Sequence, residues 1–252
     1  MGLFHVYVQS APHGYTLTVA FASHQVADEW WRAMSTHPEM SGLIKRVSPQ
    51  LYVWNAKTAY QNKSLYDPLK DGVSQFSDKM VYLWQTNNAQ NVWRGTLGII
   101  SVQDITNQTS GNSFFIRSKV EPYEYWYCPT TTGSITESTK IYTSREERTR
   151  FRVHIADEQM VPGTIMIGTD EIIVSPAFAP TLRVSIENGV ARLGPAAASS
   201  ESEHPKLELS HVRTGFTSGA RRRVMDEEND LVIVARELVE ALDGNGEGWE
   251  LV

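Results

Sequence analysis

Hydrophobic and polar residues alternate with period two along much of this chain, the signature of strands with one face in a core and the other in water. Tyr15, Leu17, Val19 and Phe21 interleave with Thr16, Thr18, Ala20 and Ala22. Residues 3–8 precede them across Pro12-His13-Gly14, and together these segments predict a hairpin. The sharpest alternation is RTRFRVHI, where Phe151, Val153 and Ile155 point one way and Arg148, Arg150, Arg152 and His154 the other. Strand-like runs recur at IKRV, QLYVW, KMVYLWQ, TLGIISV, SFFIRSKV, YEYWYC, KIYT, GTIMIG and EIIVS. Leu182, Val184 and Ile186 then run into Asn188-Gly189, a strong signal for a two-residue hairpin turn.

Two segments read as helices instead. In residues 24–36 Ala27, Trp30, Trp31 and Met34 fall at i, i+3, i+4 and i+7, with Asp28, Glu29 and Arg32 on the wet side, Ser23 as N-cap and Pro38 as stop. In residues 226–242 Leu231, Val234, Leu238 and Leu242 form the buried stripe of a second helix closed by Gly244. The predicted class is mainly β, an antiparallel sandwich or barrel-like domain with these two helices. Residues 1–194 read as the main domain, 195–206 (PAAASSESEHP and its flank) as a flexible loop, and 207–252 as a C-terminal strand and helix packing on it. The polar connection between Trp54 and Asp78 exceeds the usual loop length, so it is either functional or holds a short helix.

Composition narrows the partners. A net charge of −6 over 252 residues argues against nucleic acid or an anionic membrane as the main partner. One cysteine, Cys128, excludes an internal disulfide and any multi-cysteine zinc site. No apolar run is long enough to span a membrane, and His5, Gln9 and Pro12 interrupt any signal core, so a cytoplasmic protein is expected. The seven histidines form no H-x-H or H-E-x-x-H spacing, which leaves no metal site to name. No G-x-S-x-G elbow occurs, so no catalytic residue is assigned and the chain reads as a non-enzyme. RRRVMDEEND pairs its charges locally, and DGNGEG lacks the final ligand of a calcium loop.

The stretch PYEYWYCP carries the most suggestive chemistry. In a strand, Tyr123, Tyr125 and Tyr127 share one face and Glu124, Trp126 and Cys128 the other. Such rings either pack across a sheet or hold something flat. Trp84 and Trp54, in comparable strands, are candidates to line the same groove, and Arg117 or a tyrosine hydroxyl to orient a polar group of the ligand. An aldehyde-bearing ligand would find Lys119 or Lys79 for a Schiff base. The stripe Arg148, Arg150, Arg152 and His154 suits a carboxylate, sulfate or phosphate, or else is a solvated outer face. Cys128 reads as a buried thiol.

ADEWWR, RVSPQLY, SGNSFFIRSK, RTRFRVHI and PGTIMIG resemble, from about residue 3 to 175, a family of mostly uncharacterised β-rich proteins from mushroom-forming fungi. A narrower resemblance is to the pigment-carrying chromoproteins of oyster mushrooms. It implies a soluble β-rich binder of a planar apolar ligand and assigns no residue a role. Three functions stay open: a binding protein for a planar apolar or aromatic small molecule such as an organic chromophore, a cytoplasmic lectin, and an enzyme without local motifs. A homo-oligomer held by Trp31 or by the 55–77 connection is a further expectation.

Overall fold

The computed structural model describes residues 3–11, 16–38, 40–55, 74–76, 78–83, 105–129, 139–195, 207–226, 231–241 and 246–252. Contacts divide the chain into two units, Met1–Asn107 and Gln108–Val252. The division falls inside the 1–194 stretch that the sequence pattern treats as one domain. TLGIISV, the Pro12-His13-Gly14 turn and residues 196–206 lie outside the described residues.

The first unit is built from β1 (Phe4–Ala11), β2 (Thr16–Phe21), α1 (His24–Thr36), β3 (Ile44–Ser48), β4 (Leu51–Asn55) and β5 (Met80–Leu83). The sheet order is β3-β4-β1-β2-β5. The β1–β4 pair is parallel and the others antiparallel. Ser23 caps α1 as its sequence implies, its Oγ accepting from the Val26 N–H at 3.2 Å. Ala27, Trp30 and Met34 pack with Phe4, Val6, Val19, Phe21, Ile44 and Tyr52 in one core. Trp31, expected on the same stripe, is half-buried against the Tyr52 ring.

The wet side of α1 needs correction, because Asp28 and Arg32 are buried. The Arg46 guanidinium on β3 donates to Asp28 Oδ1 at 2.8 Å, and both side chains are almost wholly out of solvent. A carboxylate is tolerated there only because it is paired. Removing one partner of such a pair would strand the other charge.

The second unit holds β6 (Ser113–Ser118), β7 (Tyr125–Tyr127), β8 (Tyr142–Ser144), β9 (Arg150–Ile155), β10 (Glu171–Pro176), β11 (Leu182–Glu187) and β12 (Val190–Pro195). It continues with β13 (Leu207–Glu208), α2 (Leu209–Thr214), β14 (Phe216–Asp226), β15 (Leu231–Glu240) and β16 (Trp249–Leu251). These strands form one sheet in the order β11-β12-β15-β8-β7-β6-β9-β10-β13, with β14 added on β15 and β16 on β6. Every pair is antiparallel. β10 and β11, near opposite ends of this path, follow one another in the chain, so the sheet curls into a nearly closed, barrel-like form. Asn188 and Gly189 both take positive φ, 51° and 73°, as a type I′ turn between β11 and β12 requires.

Alternation fills the interior. Phe114 and Ile116, Phe151, Val153 and Ile155, and Trp249 and Leu251 all enter the core, each beside an outward-facing neighbour. Trp126 lies fully buried among Phe216, Phe151 and Trp249, with ring centroids at 5.1, 6.0 and 6.1 Å. The edge-to-face geometry is the one favoured by ring quadrupoles. No helix among the described residues is long and apolar enough to cross a membrane.

The predicted helix at 226–242 is the second strand of a hairpin. β15 pairs with β14 from Asp226↔Leu231 to Phe216↔Glu240. Leu231, Val234 and Leu238 match a helical stripe by spacing alone. The β-branched run Val232-Ile233-Val234 favours extended backbone, and pairing with β14 decides the outcome. The two assignments bury different residues: Ile233 is 0% exposed and Val234 58%. Urea denaturation of Ile233→Ala is therefore expected to show a loss of about 2–5 kcal/mol. Val234→Ala should change stability by no more than about 0.5 kcal/mol; the reverse ranking would restore the helix.

Candidate functional site

With Trp126 committed to the core, the pleat turns Tyr125 and Tyr127 to the outer face of the sheet. Strand register then decides what joins them. Arg117 of β6 pairs with Tyr125, and Phe115 of β6 pairs with Arg150 of β9. β16 pairs antiparallel with β6 and sets Glu250 opposite Arg117.

The result is an alternation of guanidinium groups and aromatic rings across one outer face. Arg117 Cζ lies 4.4 Å from the centroid of Tyr123, which is 37% exposed. Arg148 Cζ lies 4.6 Å from the Phe115 ring and 5.6 Å from the Tyr125 ring. Arg150 Cζ lies 4.7 Å from Phe115. Phe115 and Tyr125 meet edge to face at 6.3 Å. Each cation–ring contact at such an exposed place is worth only about 0.5–1 kcal/mol. The ladder therefore adds little to stability and mainly orders long side chains on the surface.

The arginines differ in charge balance. Arg117 donates to Glu250 Oε1 from Nε at 3.1 Å and from Nη2 at 2.6 Å. That bond holds Arg117 still more firmly in its charged form, with partial burial opposing and Tyr125 adding a smaller stabilising share. Arg148 and Arg150 have no acidic partner among the described residues.

The other sequence candidates lie elsewhere. Tyr127 faces outward like Tyr125 but is covered: Val224, Ile233 and Ala235 of the β14–β15 hairpin pack over it beside Tyr142. Trp54 belongs to the core of the first unit, 4% exposed, because its strand turns it toward the apolar face. Lys79 is exposed in that same unit, and Lys119 is exposed just after β6. Trp84 lies outside the described residues. The basic stripe splits as well, since Arg152 donates from Nε to the Gly111 carbonyl at 3.3 Å. His154 is half-buried, and burial, then Arg152, push its pKa down. No local pattern in the sequence joins Phe115, Arg148 and Glu250. The alternation of RTRFRVHI marks Arg148 and Arg150, but only the pairing of β6 with β9 reveals the ring beneath them.

Two further polar clusters lie in the second unit. Glu124 Oε2 accepts from Thr143 Oγ1 at 2.8 Å and lies 3.1 Å from Ser218 Oγ, which also lies 2.8 Å from Glu247 Oε2. Arg145 Nε is 3.4 Å from the other Glu124 oxygen. These hydroxyls are engaged by carboxylates, so the cluster acts as a tie among β8, β14 and the segment before β16. Glu237 meets Lys140 Nζ at 2.5 Å and Arg222 Nε at 3.6 Å. The Lys140 hydrogen bond and charge hold its carboxyl below the ordinary glutamate range, against the opposing effect of burial.

Cys128 is the buried thiol its setting suggests, pushed up to about 12 by desolvation. It should resist Ellman's reagent in the native protein and react once urea unfolds the chain; rapid native labelling would refute its burial. For Glu237 the lowered folded pKa gives stability that is full above the ordinary carboxyl value and is lost as pH falls through the lowered one. The stability gap between wild type and Glu237→Gln should accordingly shrink on acidification, read from denaturation midpoints at a series of pH values. A gap constant with pH would remove the Lys140 pair as its source.

No protein-family profile, curated protein or solved structure matches this chain.

Proposed function

We propose that the second unit is a non-enzymatic binding module for a planar aromatic small molecule, held at the ladder formed by Tyr123, Arg117, Tyr125, Arg148, Phe115 and Arg150. The supporting observation is the alternation itself: ordered guanidinium groups lie over outward-facing rings at 4.4–5.6 Å. A flat ligand extends that stack by lying on a guanidinium plane or on a ring edge, both favourable partners for a π system. Because the rings already share their cations, little side-chain freedom is lost on binding. A pigment belongs to this ligand class, in keeping with the resemblance to mushroom chromoproteins. On this reading Tyr123 and Tyr125 contact the ligand, whereas Tyr127 is covered and does not.

A fluorescent planar probe tests the reading. 1-Pyrenesulfonate, followed by anisotropy, should bind the native protein and weaken by at least about tenfold in Phe115→Leu/Tyr125→Leu, the loss of one or two ring contacts. Thermal melting of the variant confirms that it folds. No binding to the wild type, or unchanged binding to a folded variant, would reject the ladder as the site.

A further inference from the structure

From the unequal charge balance along the ladder we infer that its ligand is a planar aromatic acid, whose carboxylate, sulfonate or phosphate is taken by Arg148 and Arg150. This rests on the ladder being the binding face and goes further by fixing the polar half of the ligand.

Three arginines face the rings, and the fold neutralises one. Arg117 has Glu250, bound through two nitrogens. Arg148 and Arg150 lie within 4.6 and 4.7 Å of the centroid of the same Phe115 ring, and neither meets a carboxylate among the described residues. Two like charges around one ring repel each other, and the ring offsets only part of that cost. An acid group bound at this pair would offset that repulsion. Guanidinium suits it better than ammonium would, since its N–H groups form a planar fork matched to carboxylate, sulfonate or phosphate oxygens. The acid group would lie on Arg148 and Arg150, and its ring system would extend toward Tyr125, whose ring already lies 5.6 Å from Arg148 Cζ. Tyr123 with Arg117 borders the other end, where the charge is already balanced.

The whole-chain charge of −6 repels anions at long range, so the preference must come from this local pair. It should therefore weaken with added salt, as exposed charge interactions do.

Two probes of nearly equal shape separate the acid from the ring. 1-Pyrenesulfonate should bind the wild type at least about tenfold more tightly than neutral 1-pyrenemethanol. The preference should disappear in Arg148→Gln/Arg150→Gln and largely survive in Arg117→Gln. Comparison of the two probes on the wild type needs no variant, so a folding defect cannot obscure the answer. Equal binding of both probes would overturn the acid assignment and leave the planar-ligand reading standing. A sulfonate preference that persists in a folded Arg148→Gln/Arg150→Gln variant would overturn it too. Binding of neither probe would defeat both readings together.

Discussion

The second unit depends on one commitment, the placing of Trp126 inside. A fully buried indole surrounded by Phe151, Phe216 and Trp249 draws β7, β9, β14 and β16 onto a common centre. A shift of β7 by a single residue would send Trp126 into water and bring tyrosines into the core, a loss on the order of several kcal/mol for so large a ring. The outer face is thus a by-product of inner packing: fixing Trp126 fixes Tyr125, and Tyr125 in turn faces Arg117. The ladder face is held in place by hydrophobic forces acting on the opposite side of the same strands.

What could be read from residue order follows the range of the interaction. The β9 alternation, the Ser23-capped helix α1 and the Asn188-Gly189 turn were legible because each is decided within a few residues. β15 was misread for the same reason, since Leu231, Val234 and Leu238 satisfy a local helical spacing while the deciding hydrogen bonds come from β14. Asp28 looked like a solvated helix residue because nothing near it in sequence announces Arg46. Tertiary pairing overrides local preference in both cases.

The ladder was half legible. Tyr123, Tyr125, Arg117 and the basic stripe are each visible in the sequence as separate features. Their union needs the registers of β6 with β7, β9 and β16, and no local periodicity encodes register between distant strands. Tyr127 shows the converse: its parity is right, yet a hairpin remote in sequence closes over it.

The pairing of β16 with β6 joins the two far ends of the second unit, and the Arg117–Glu250 contact spans 133 positions of chain. A contact across so much chain must meet its loop-closure entropy before it is rewarded, which slows folding. A nascent chain that has emerged only as far as β15 already owns every ring and every guanidinium of the ladder. Until β16 pairs with β6 this face carries three unbalanced arginines where the folded unit balances one, so its charge reports whether that pairing has formed.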